Sequence, residues 1–378
     1  MTTEINFRYL SEPDMIEAGV GDLVRCTDVM EEALVLLRKG DYRMAGENGN
    51  SHGAMITFPQ HPEFDGMPED GPDRRFMAMP AYLGGRFGTS GVKWYGSNTG
   101  NRGKGLPRSI HVFVLNDRDT GAPLAIMSAN LLSAYRTGAV PGVGVKHLAR
   151  EDARVAAVIG PGVIARSVLA TALALRPSIG TLFVKGRSAG STQAFIDWAR
   201  AEFPQLTRIE ATETVEEAIA DADIVMATTS TDAAGSAAFP YFPKSAIKPG
   251  ALLLLPAAAR FDDEFVAGDD VRLVIDAHGL YEAWLEEYGP TAYQILGIPG
   301  SHWFGLVEEG TIDASKIEEI ADIATGELPA RRDDEEIILY SVGGMPVEDV
   351  AWATELYRTA EQRGIGTVLN LWNTPALA

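Results

Sequence analysis

The stretch that most constrains the fold is residues 155–167, with the sequence VAAVIGPGVIARS. Five small apolar residues predict a buried strand, the turn Gly160-Pro161-Gly162 ends it, and the residues that follow have helical composition. A strand, a glycine turn and a helix together present backbone N–H groups at a helix N-terminus, where a pyrophosphate can bind. The spacing is G-x-G-x-x-A, with Ala165 at the third position, which the dinucleotide-binding fingerprint allows.

Alternating strands and helices follow this stretch. The sequence predicts strands at residues 181–184, 208–210 and 223–227, with helical segments between them. Such alternation indicates a parallel sheet with right-handed crossovers. We therefore expect an α/β fold with a Rossmann dinucleotide-binding domain. The alternative is a structural strand-to-helix turn in another α/β fold.

The end of the next strand indicates the type of cofactor. In a site for NAD, a carboxylate about 20 residues beyond the glycines binds the ribose 2′-hydroxyl. Here the strand ends in Lys185, Gly186, Arg187 and Ser188, with no carboxylate. Two cations and a hydroxyl suit a 2′-phosphate, so NADP(H) is favoured over NAD(H). The alternative is that Lys185 and Arg187 are ordinary solvated loop residues.

Composition excludes several classes of protein. The chain has 378 residues, enough for two domains, and a formal net charge of −20, which argues against nucleic acid and anionic membranes as partners. Its single cysteine, Cys26, cannot form a disulfide framework or a zinc cluster, so no metal site is predicted. With no secretory signal at the start and no long apolar stretch, we expect a cytoplasmic protein with a small-molecule substrate.

The two ends of the chain predict a second domain. The first 127 residues read as an antiparallel sheet with two helices, and the segment 44–73 reads as a long loop rich in Gly, Pro, Asn and Asp. A helix is predicted over residues 311–325, and a strand near 335–340 precedes the last helix. We expect residues 1–135 and 335–378 to form an α+β substrate and dimerisation domain, and 136–334 to form the Rossmann domain.

Several motifs resemble the ornithine cyclodeaminase/μ-crystallin family over nearly the whole chain. They are GVK at 91–93, LLSAYRTGA at 131–139, KHLA at 146–149, the GPGVIA turn and GMPVED at 344–349. The stretches LNDRDTGAPLAIM at 115–127 and TGELPARRDDEEIIL at 325–339 resemble a dehydrogenase branch whose substrates are aminocarboxyethyl-glutamate-like. The resemblance implies a homodimer with a Rossmann domain and a dimerising domain made from both chain ends.

The resemblance also implies roles for single residues. Lys93 matches the lysine that binds the substrate carboxylate, and Arg136 matches the arginine that lies between this carboxylate and the cofactor phosphate. Two cations that converge on one carboxylate would form charge-assisted hydrogen bonds. Arg43 is a third candidate for substrate binding, although its neighbourhood departs from the family's proline-rich pattern. The alternatives are a snorkelling strand lysine for Lys93 and a helix ion pair for Arg136.

A larger set of residues is implied at the cofactor. Ser109 matches a cofactor-contacting hydroxyl, and residues 228–230 belong to a polar loop that the family places beside the nicotinamide ribose. Val342 and Gly343 match a loop that covers the nicotinamide. The predicted cofactor-binding residues are Ser109, Arg136, Gly160, Gly162, Val163, Ile164, Lys185, Arg187, Ser188, Thr228, Thr229, Ser230, Val342 and Gly343.

One departure concerns the general base. Cyclodeaminases of the family carry a catalytic Asp where an ungapped comparison places Ala259 of this chain. The nearest carboxylates, Asp262 and Asp263, come a few residues later. Asp262 is therefore a candidate catalytic residue beside Lys93, or it only caps the next turn. Activation of water on an imine needs a base of this kind, so its displacement counts against cyclodeaminase activity.

Three functions remain open at this point. The first is an NAD(P)-dependent oxidoreductase that acts on the C–N bond of an amino-acid-derived secondary amine or imine, as in an opine-like dehydrogenase or an imine reductase. The second is a lyase that releases ammonia from ornithine or lysine with recycled NAD. The third is a non-catalytic NADPH-binding protein of the μ-crystallin type.

Overall fold

A computed structural model describes residues 3–229 and 235–377. Its strands are β1 (Ile5–Leu10), β2 (Tyr42–Met44), β3 (Ala54–Ile56), β4 (Arg75–Leu83), β5 (Thr89–Ser97), β6 (Ser109–Asp117), β7 (Pro123–Ser128), β8 (Val155–Ile159), β9 (Thr181–Lys185), β10 (Arg208–Ala211), β11 (Ile224–Ala227), β12 (Leu252–Leu255), β13 (Val271–Ile275), β14 (Ile317–Glu319), β15 (Ile337–Ser341) and β16 (Thr367–Trp372). Its α-helices are α1 (Glu12–Glu17), α2 (Leu23–Arg38), α3 (Asn130–Leu148), α4 (Val163–Leu175), α5 (Ala189–Glu202), α6 (Val215–Ile219), α7 (Asp263–Ala267), α8 (His278–Tyr288), α9 (Ala292–Leu296), α10 (Pro299–Glu308), α11 (Ile320–Ala324) and α12 (Pro346–Arg363).

The chain divides into two compact units. The first comprises Met1–Asp22, Lys39–Arg136 and Met345–Ala378, and the second comprises Leu23–Arg38 and Thr137–Gly344. We call them the sheet unit and the dinucleotide unit. Within the described residues, no helix is both long and apolar enough to cross a membrane.

The sheet unit is built on a mixed sheet with the strand order β16-β1-β7-β6-β5-β4-β2, to which β3 adds by pairing with β4. Side chains along its long strands point alternately to the two faces of the sheet, as expected where only one face is covered. Helix α12 packs on β4 and β5, where Thr354 and Thr89 share a buried hydrogen bond of 2.7 Å between their hydroxyl oxygens. The face of the sheet under α12 carries Lys93 and the other residues of β5 whose side chains point to the same side.

The dinucleotide unit is built on a parallel sheet with the order β10-β9-β8-β11-β12-β15-β13-β14. The first five strands have the Rossmann order 3-2-1-4-5, so the predicted α/β Rossmann class is confirmed. All four residues of β12 are fully buried leucines, as expected of a central strand that is covered on both faces. Strand order reverses between β8 and β11, and open α/β sheets bind ligands at such a switch point.

Four expectations about this architecture were wrong. Strand β1 pairs in parallel with β7, so the sheet of the first unit is mixed and not antiparallel. Residues 311–325 contain a short 3-10 helix, β14 and the one-turn α11 in place of one helix. The 44–73 loop contains β3, which pairs with β4. Strand β15 joins the parallel sheet between β12 and β13, so residues 335–344 lie in the dinucleotide unit and not with the chain ends.

The assignment of residues 1–135 to the first domain also needs a correction. Helix α2, predicted there, belongs to the dinucleotide unit, where it packs against α4 and α11. Helix α2 packs there because its apolar face needs to be covered, and the residues of this face are buried: Val29, Met30, Ala33 and Leu34. An amphipathic helix shows from its sequence that it needs a partner surface, but not which surface that is.

Candidate active site

The sheet unit contains a buried group of four charged side chains, which we call the charge cluster: Lys93, Arg136, Glu348 and Asp349. Lys93 Nζ lies 2.9 Å from Asp349 Oδ2. Arg136 Nε lies 3.0 Å from Asp349 Oδ1, and its Nη1 lies 2.6 Å from Glu348 Oε2. The two cations are 2% and 4% exposed and the two carboxylates are fully buried. Asp349 thus holds both cations at once.

Local structure explains how these side chains meet. Lys93 points from β5 to the covered face of the sheet, and Arg136 lies on α3 one turn after Ser133, whose hydroxyl accepts a hydrogen bond of 3.1 Å from Lys93 Nζ. Glu348 and Asp349 stand in the first turn of α12, which begins with Pro346. Carboxylates are favoured there because the N-terminus of a helix carries a partial positive charge.

Burial and charge set the protonation states of the charge cluster. Burial, followed by the nearby charge of Arg136, lowers the pKa of Lys93 to about 8, although Asp349 opposes the shift. Burial alone would raise the pKa of Asp349, but Arg136 and Lys93 outweigh it and lower this pKa below the usual range. Two cations and two carboxylates therefore balance at neutral pH, with Lys93 the member closest to losing its proton.

His111 lies beside the charge cluster on the same face of the sheet. It is paired with Tyr95 across β5 and β6, and the two rings are 4.7 Å apart. Burial, followed by the charge of Lys93, lowers the pKa of His111 to about 4, so its ring is neutral at neutral pH. Both ring nitrogens are inaccessible and have no hydrogen-bond partner among the residues that the structure describes.

The glycine turn occupies the switch point of the dinucleotide unit. Gly160 has φ +90°, and a Cβ there would lie 2.7 Å from Thr229 N, so only glycine fits. At Gly162, by contrast, a Cβ would meet nothing closer than Gly160 O at 4.0 Å. Gly162 caps the 13-residue helix α4 without a side-chain bond to its first amides. The N-terminus of α4 is thus open to an anion, and the turn fits a pyrophosphate.

Other predicted cofactor residues surround this turn or stabilise it. The hydroxyl of Thr228 donates to Gly160 O at 2.8 Å, and that of Thr229 donates to Ile159 O at 3.3 Å. Val163, at the start of α4, is 69% exposed, and Ile164 follows it. Ser230 lies outside the described residues.

The cationic segment after β9 leads into α5. Lys185 Nζ donates to Gly186 O at 3.0 Å, and Arg187 is exposed. Ser188 is the N-cap of α5 and accepts a hydrogen bond from Ser191 N. The segment therefore combines two cations with a helix N-terminus.

Sequence reasoning missed a buried carboxylate in the dinucleotide unit. Asp276, which follows β13, is 1% exposed, and its Oδ2 accepts hydrogen bonds from the backbone N–H groups of Gly343, at 2.7 Å, and Gly344, at 3.2 Å. Burial raises the pKa of Asp276 to about 6 in spite of these donors. Asp276 thus fixes the segment containing Val342 and Gly343, two of the predicted cofactor residues. A carboxylate at the C-terminal end of a parallel strand was the available signal.

Three predicted site residues lie elsewhere. Arg43 is exposed on β2 and donates to the backbone oxygens of Gly40 and Tyr42, outside the charge cluster. Ser109 donates to the hydroxyl of Ser97 at 3.1 Å at the end of the covered sheet face. Asp262 is exposed, precedes α7 and accepts a hydrogen bond of 2.6 Å from the hydroxyl of Tyr241.

The model of the ornithine cyclodeaminase/mu-crystallin family matches residues 20–364. The chain belongs to this family. The predicted family resemblance is therefore confirmed.

The chain is similar to proteins that are named as dehydrogenases and reductases. N-((2S)-2-amino-2-carboxyethyl)-L-glutamate dehydrogenase of Staphylococcus aureus is 30% identical over 370 residues, which cover 96% of this chain and 98% of the relative. A Delta(1)-pyrroline-2-carboxylate reductase of Bacillus cereus is 31% identical over 260 residues, 68% of this chain and 72% of that one. The Delta(1)-pyrroline-2-carboxylate reductase of Thermococcus litoralis, solved with NADH and L-proline, has a TM-score of 0.73 and 25% identity, and covers 96% of this chain and 99% of its own.

Local sequence motifs identified some residues of the candidate site and missed others. Lys93 and Arg136 were selected by their motifs, whereas Ser133, Glu348 and Asp349 lay inside quoted motifs without a predicted role. His111 had no signal of its own, because a single histidine in the strand sequence IHVFVL looks like any half-buried strand residue.

Proposed function

We propose that this chain is a nicotinamide-dinucleotide-dependent oxidoreductase that acts on the C–N bond of an amino-acid-derived secondary amine or imine. The charge cluster carries the proposal. Buried ion pairs contribute little to stability compared with apolar packing, so four buried charges in one place point to a ligand. The named activities of the relatives support the same reaction class.

The charge cluster complements a substrate that carries both signs of charge. Among the residues that the structure describes, Ser133 and Asp349 use two of the three hydrogens of the Lys93 ammonium group, which leaves one for a substrate carboxylate. A carboxylate alone would leave a balanced site with an excess negative charge. An iminium or ammonium nitrogen beside that carboxylate restores the balance against Glu348 and Asp349. Amino-acid-like substrates are therefore preferred over simple carboxylic acids.

The reaction is balanced by one hydride and one proton. A bound nicotinamide dinucleotide would supply the hydride for reduction or accept it for oxidation. In the reductive direction, the substrate carbon gains the hydride and the protonated imine nitrogen becomes an amine. Lys93 and Arg136 hold the carboxylate, while Gly162 and the N-terminus of α4 would hold the pyrophosphate.

We further propose NADP(H) as the preferred cofactor. Lys185, Arg187 and the N-terminus of α5 suit a 2′-phosphate, and no carboxylate stands among residues 185–188. A lyase is less well supported. Ala259 occupies the position of the cyclodeaminase aspartate, and Asp262 is bound to Tyr241 on the surface.

A homodimer is also proposed. The uncovered face of the sheet unit exposes Phe76, Trp94, Ile110 and Val112 by 40% to 49% each, and the rings of Phe76 and Trp94 stack at 5.8 Å. Such an apolar patch is typical of a surface that another molecule covers, and a second copy is the commonest occupant. Sedimentation velocity of wild type and Trp94→Arg tests this, since a dimer that survives the substitution would contradict the proposal.

The activity is tested by mixing the protein and NADPH with pairs of 2-oxo acids and amines, and with pyrroline-2-carboxylate. Loss of reduced-cofactor absorbance with at least one pair is the expected result, and Arg136→Gln should abolish it. An exposed arginine, Arg200→Gln, serves as the matched control. Ammonia release from ornithine or lysine with no net change in cofactor would instead support the lyase.

A further inference from the structure

His111 is the described residue whose buried polar atoms are least explained by the fold. A buried donor or acceptor without a partner costs about 1–3 kcal/mol, so nearly all such groups in folded proteins have one. In His111 both ring nitrogens are inaccessible and lack a partner among the described residues. A neutral imidazole has one donor and one acceptor, so the ring offers both functions to a ligand.

The position of His111 relates it to the charge cluster. Lys93 is paired with Phe113 across β5 and β6, and His111 is two residues from Phe113 on the same face. Diagonal neighbours on an antiparallel sheet are about 7–8 Å apart, within reach of a small molecule held between them. The charges of Lys93, Arg136 and Asp349 are close enough to affect the pKa of His111, so the ring lies near the site proposed for the substrate carboxylate.

The surroundings of His111 favour a neutral imidazole, which can accept a hydrogen bond, over a protonated and positively charged one. Tyr95, the ring partner of His111, directs its own hydroxyl to Met77 Sδ at 3.1 Å and so leaves the imidazole without that partner. The adjacent Met77, Met79 and Tyr95 form a small buried apolar cluster. An imidazolium in this apolar surrounding would cost more than a neutral ring, whose acceptor nitrogen can take a hydrogen bond.

We propose that His111 contacts the substrate, and that its neutral imidazole accepts a hydrogen bond from the N–H group of the reacting C–N bond. This inference rests on the proposed function. In an amino-acid-like substrate, that nitrogen is two bonds from the carboxylate carbon held by Lys93 and Arg136. A secondary amine and a protonated imine both carry this N–H, whereas an ether or a thioether does not. His111 is thus a determinant of specificity for nitrogen at this position.

The experiment compares two probes that differ at one atom. Iminodiacetate has a secondary amine between two carboxylates, and thiodiacetate has sulfur in its place. Calorimetry with wild type should show iminodiacetate binding at least about tenfold more tightly, because one hydrogen bond to His111 adds to the attraction between its ammonium charge and the carboxylates of the charge cluster. His111→Leu should reduce this ratio about tenfold, and His111→Gln, which keeps a donor and an acceptor, should restore most of it.

A second measurement covers the case in which His111→Leu does not fold. In wild-type protein labelled with ¹⁵N-histidine, the imidazole signal absent from His111→Gln should move with iminodiacetate and not with thiodiacetate. If the His111 signal shifted equally with both probes, or with neither, the imidazole would be a partner of a buried water and not of the substrate. Either result would overturn the inference. An unchanged binding ratio in His111→Leu would do the same.

Failure of the two proposals can be told apart. Lys93→Ala should weaken both probes, because it removes a carboxylate donor. If both probes bind in a Lys93-dependent way but the ratio does not depend on His111, the role of His111 is wrong and the proposed function stands. If neither probe binds to wild type, both proposals fail.

Discussion

Lys93 Nζ and Asp349 Oδ2 are 2.9 Å apart, fully enclosed, and separated by 256 residues in the chain. This pair joins a strand in the first third of the sequence to the helix near its end. Because Asp349 also holds Arg136, its carboxylate fixes the geometry of both cations that are proposed to bind the substrate. Stability and binding are therefore linked through one side chain.

Asp349→Asn should lower the free energy of unfolding by about 3 kcal/mol, since removal of one member of a buried ion pair leaves an uncompensated charge. The change keeps the size of the side chain and removes only its charge. Glu361→Gln, at an exposed position on the same helix, is the matched control and should shift stability by less than about 0.5 kcal/mol. Urea denaturation measures both, and equal effects would contradict a special role for Asp349.

Substrate binding should weaken above about pH 8. Lys93 must be protonated to hold a carboxylate, and its pKa is lowered to about 8, so the charge is present below this pH and lost above it. KM should therefore rise by up to about tenfold per pH unit beyond that point. In Lys93→Arg the charge persists, so the rise should disappear even if overall binding is weaker. A break near pH 8 that survives in Lys93→Arg would assign it to another group.

The sequence predicted the dinucleotide unit well because its signals are local. The glycine turn, the helix after it and the strands around it each depend on residues within a short window, and α4 begins directly after the glycine turn, as the sequence predicts. The position of β15 was not predictable in this way. A strand sequence such as IILYS shows that it is buried, but not that it lies between β12 and β13.

The residues of the candidate site show the same difference between local sequence signals and long-range contacts. Lys93 and Arg136 were identified through motifs, whereas their partners on α12 depend on contacts across more than 200 residues. An acidic pair in the first turn of a helix is explained by the helix dipole alone, so Glu348 and Asp349 gave no reason to expect buried ion pairs. The unpartnered nitrogens of His111 are a property of packing, which a sequence does not contain.

Two glycines should respond differently to the same substitution. Gly162→Ala places a methyl group in open space, so the protein should fold normally while cofactor binding falls at least about tenfold, because the methyl group blocks close approach of a pyrophosphate. Gly160→Ala forces a side chain against Thr229 at positive φ and should destabilise the fold itself. Thermal melts and cofactor fluorescence separate the two effects. Normal cofactor affinity in Gly162→Ala would place the dinucleotide elsewhere.

The cofactor preference can be tested at Arg187. Arg187→Ala should raise KM for NADPH about tenfold or more and leave KM for NADH nearly unchanged, since only NADPH carries the 2′-phosphate. Arg200→Ala, at an exposed position near the other end of α5, is the matched control and should change neither value. Equal losses with both cofactors would remove the argument for NADP(H).

Asp276 should make the stability of the protein depend on pH in a direction opposite to that of most carboxylates. Its pKa is raised to about 6 in the folded protein, from an ordinary 3.8, because it is buried. Between these values the folded state retains a proton that the unfolded chain has lost, so this group's contribution to the free energy of unfolding falls as pH rises from about 4 to about 6, by up to about 3 kcal/mol. Asp276→Asn keeps an oxygen for the N–H of Gly343 but cannot titrate.

As pH rises through this range, the Tm of wild type should therefore fall relative to the Tm of Asp276→Asn. Above this range the difference between the two Tm values should stay constant. Asp197→Asn, on the surface of α5, is the matched control for the same change of side chain. If Asp276→Asn had the same pH profile as wild type, the pKa of Asp276 would be the same in the folded and unfolded states, which would contradict the raised pKa.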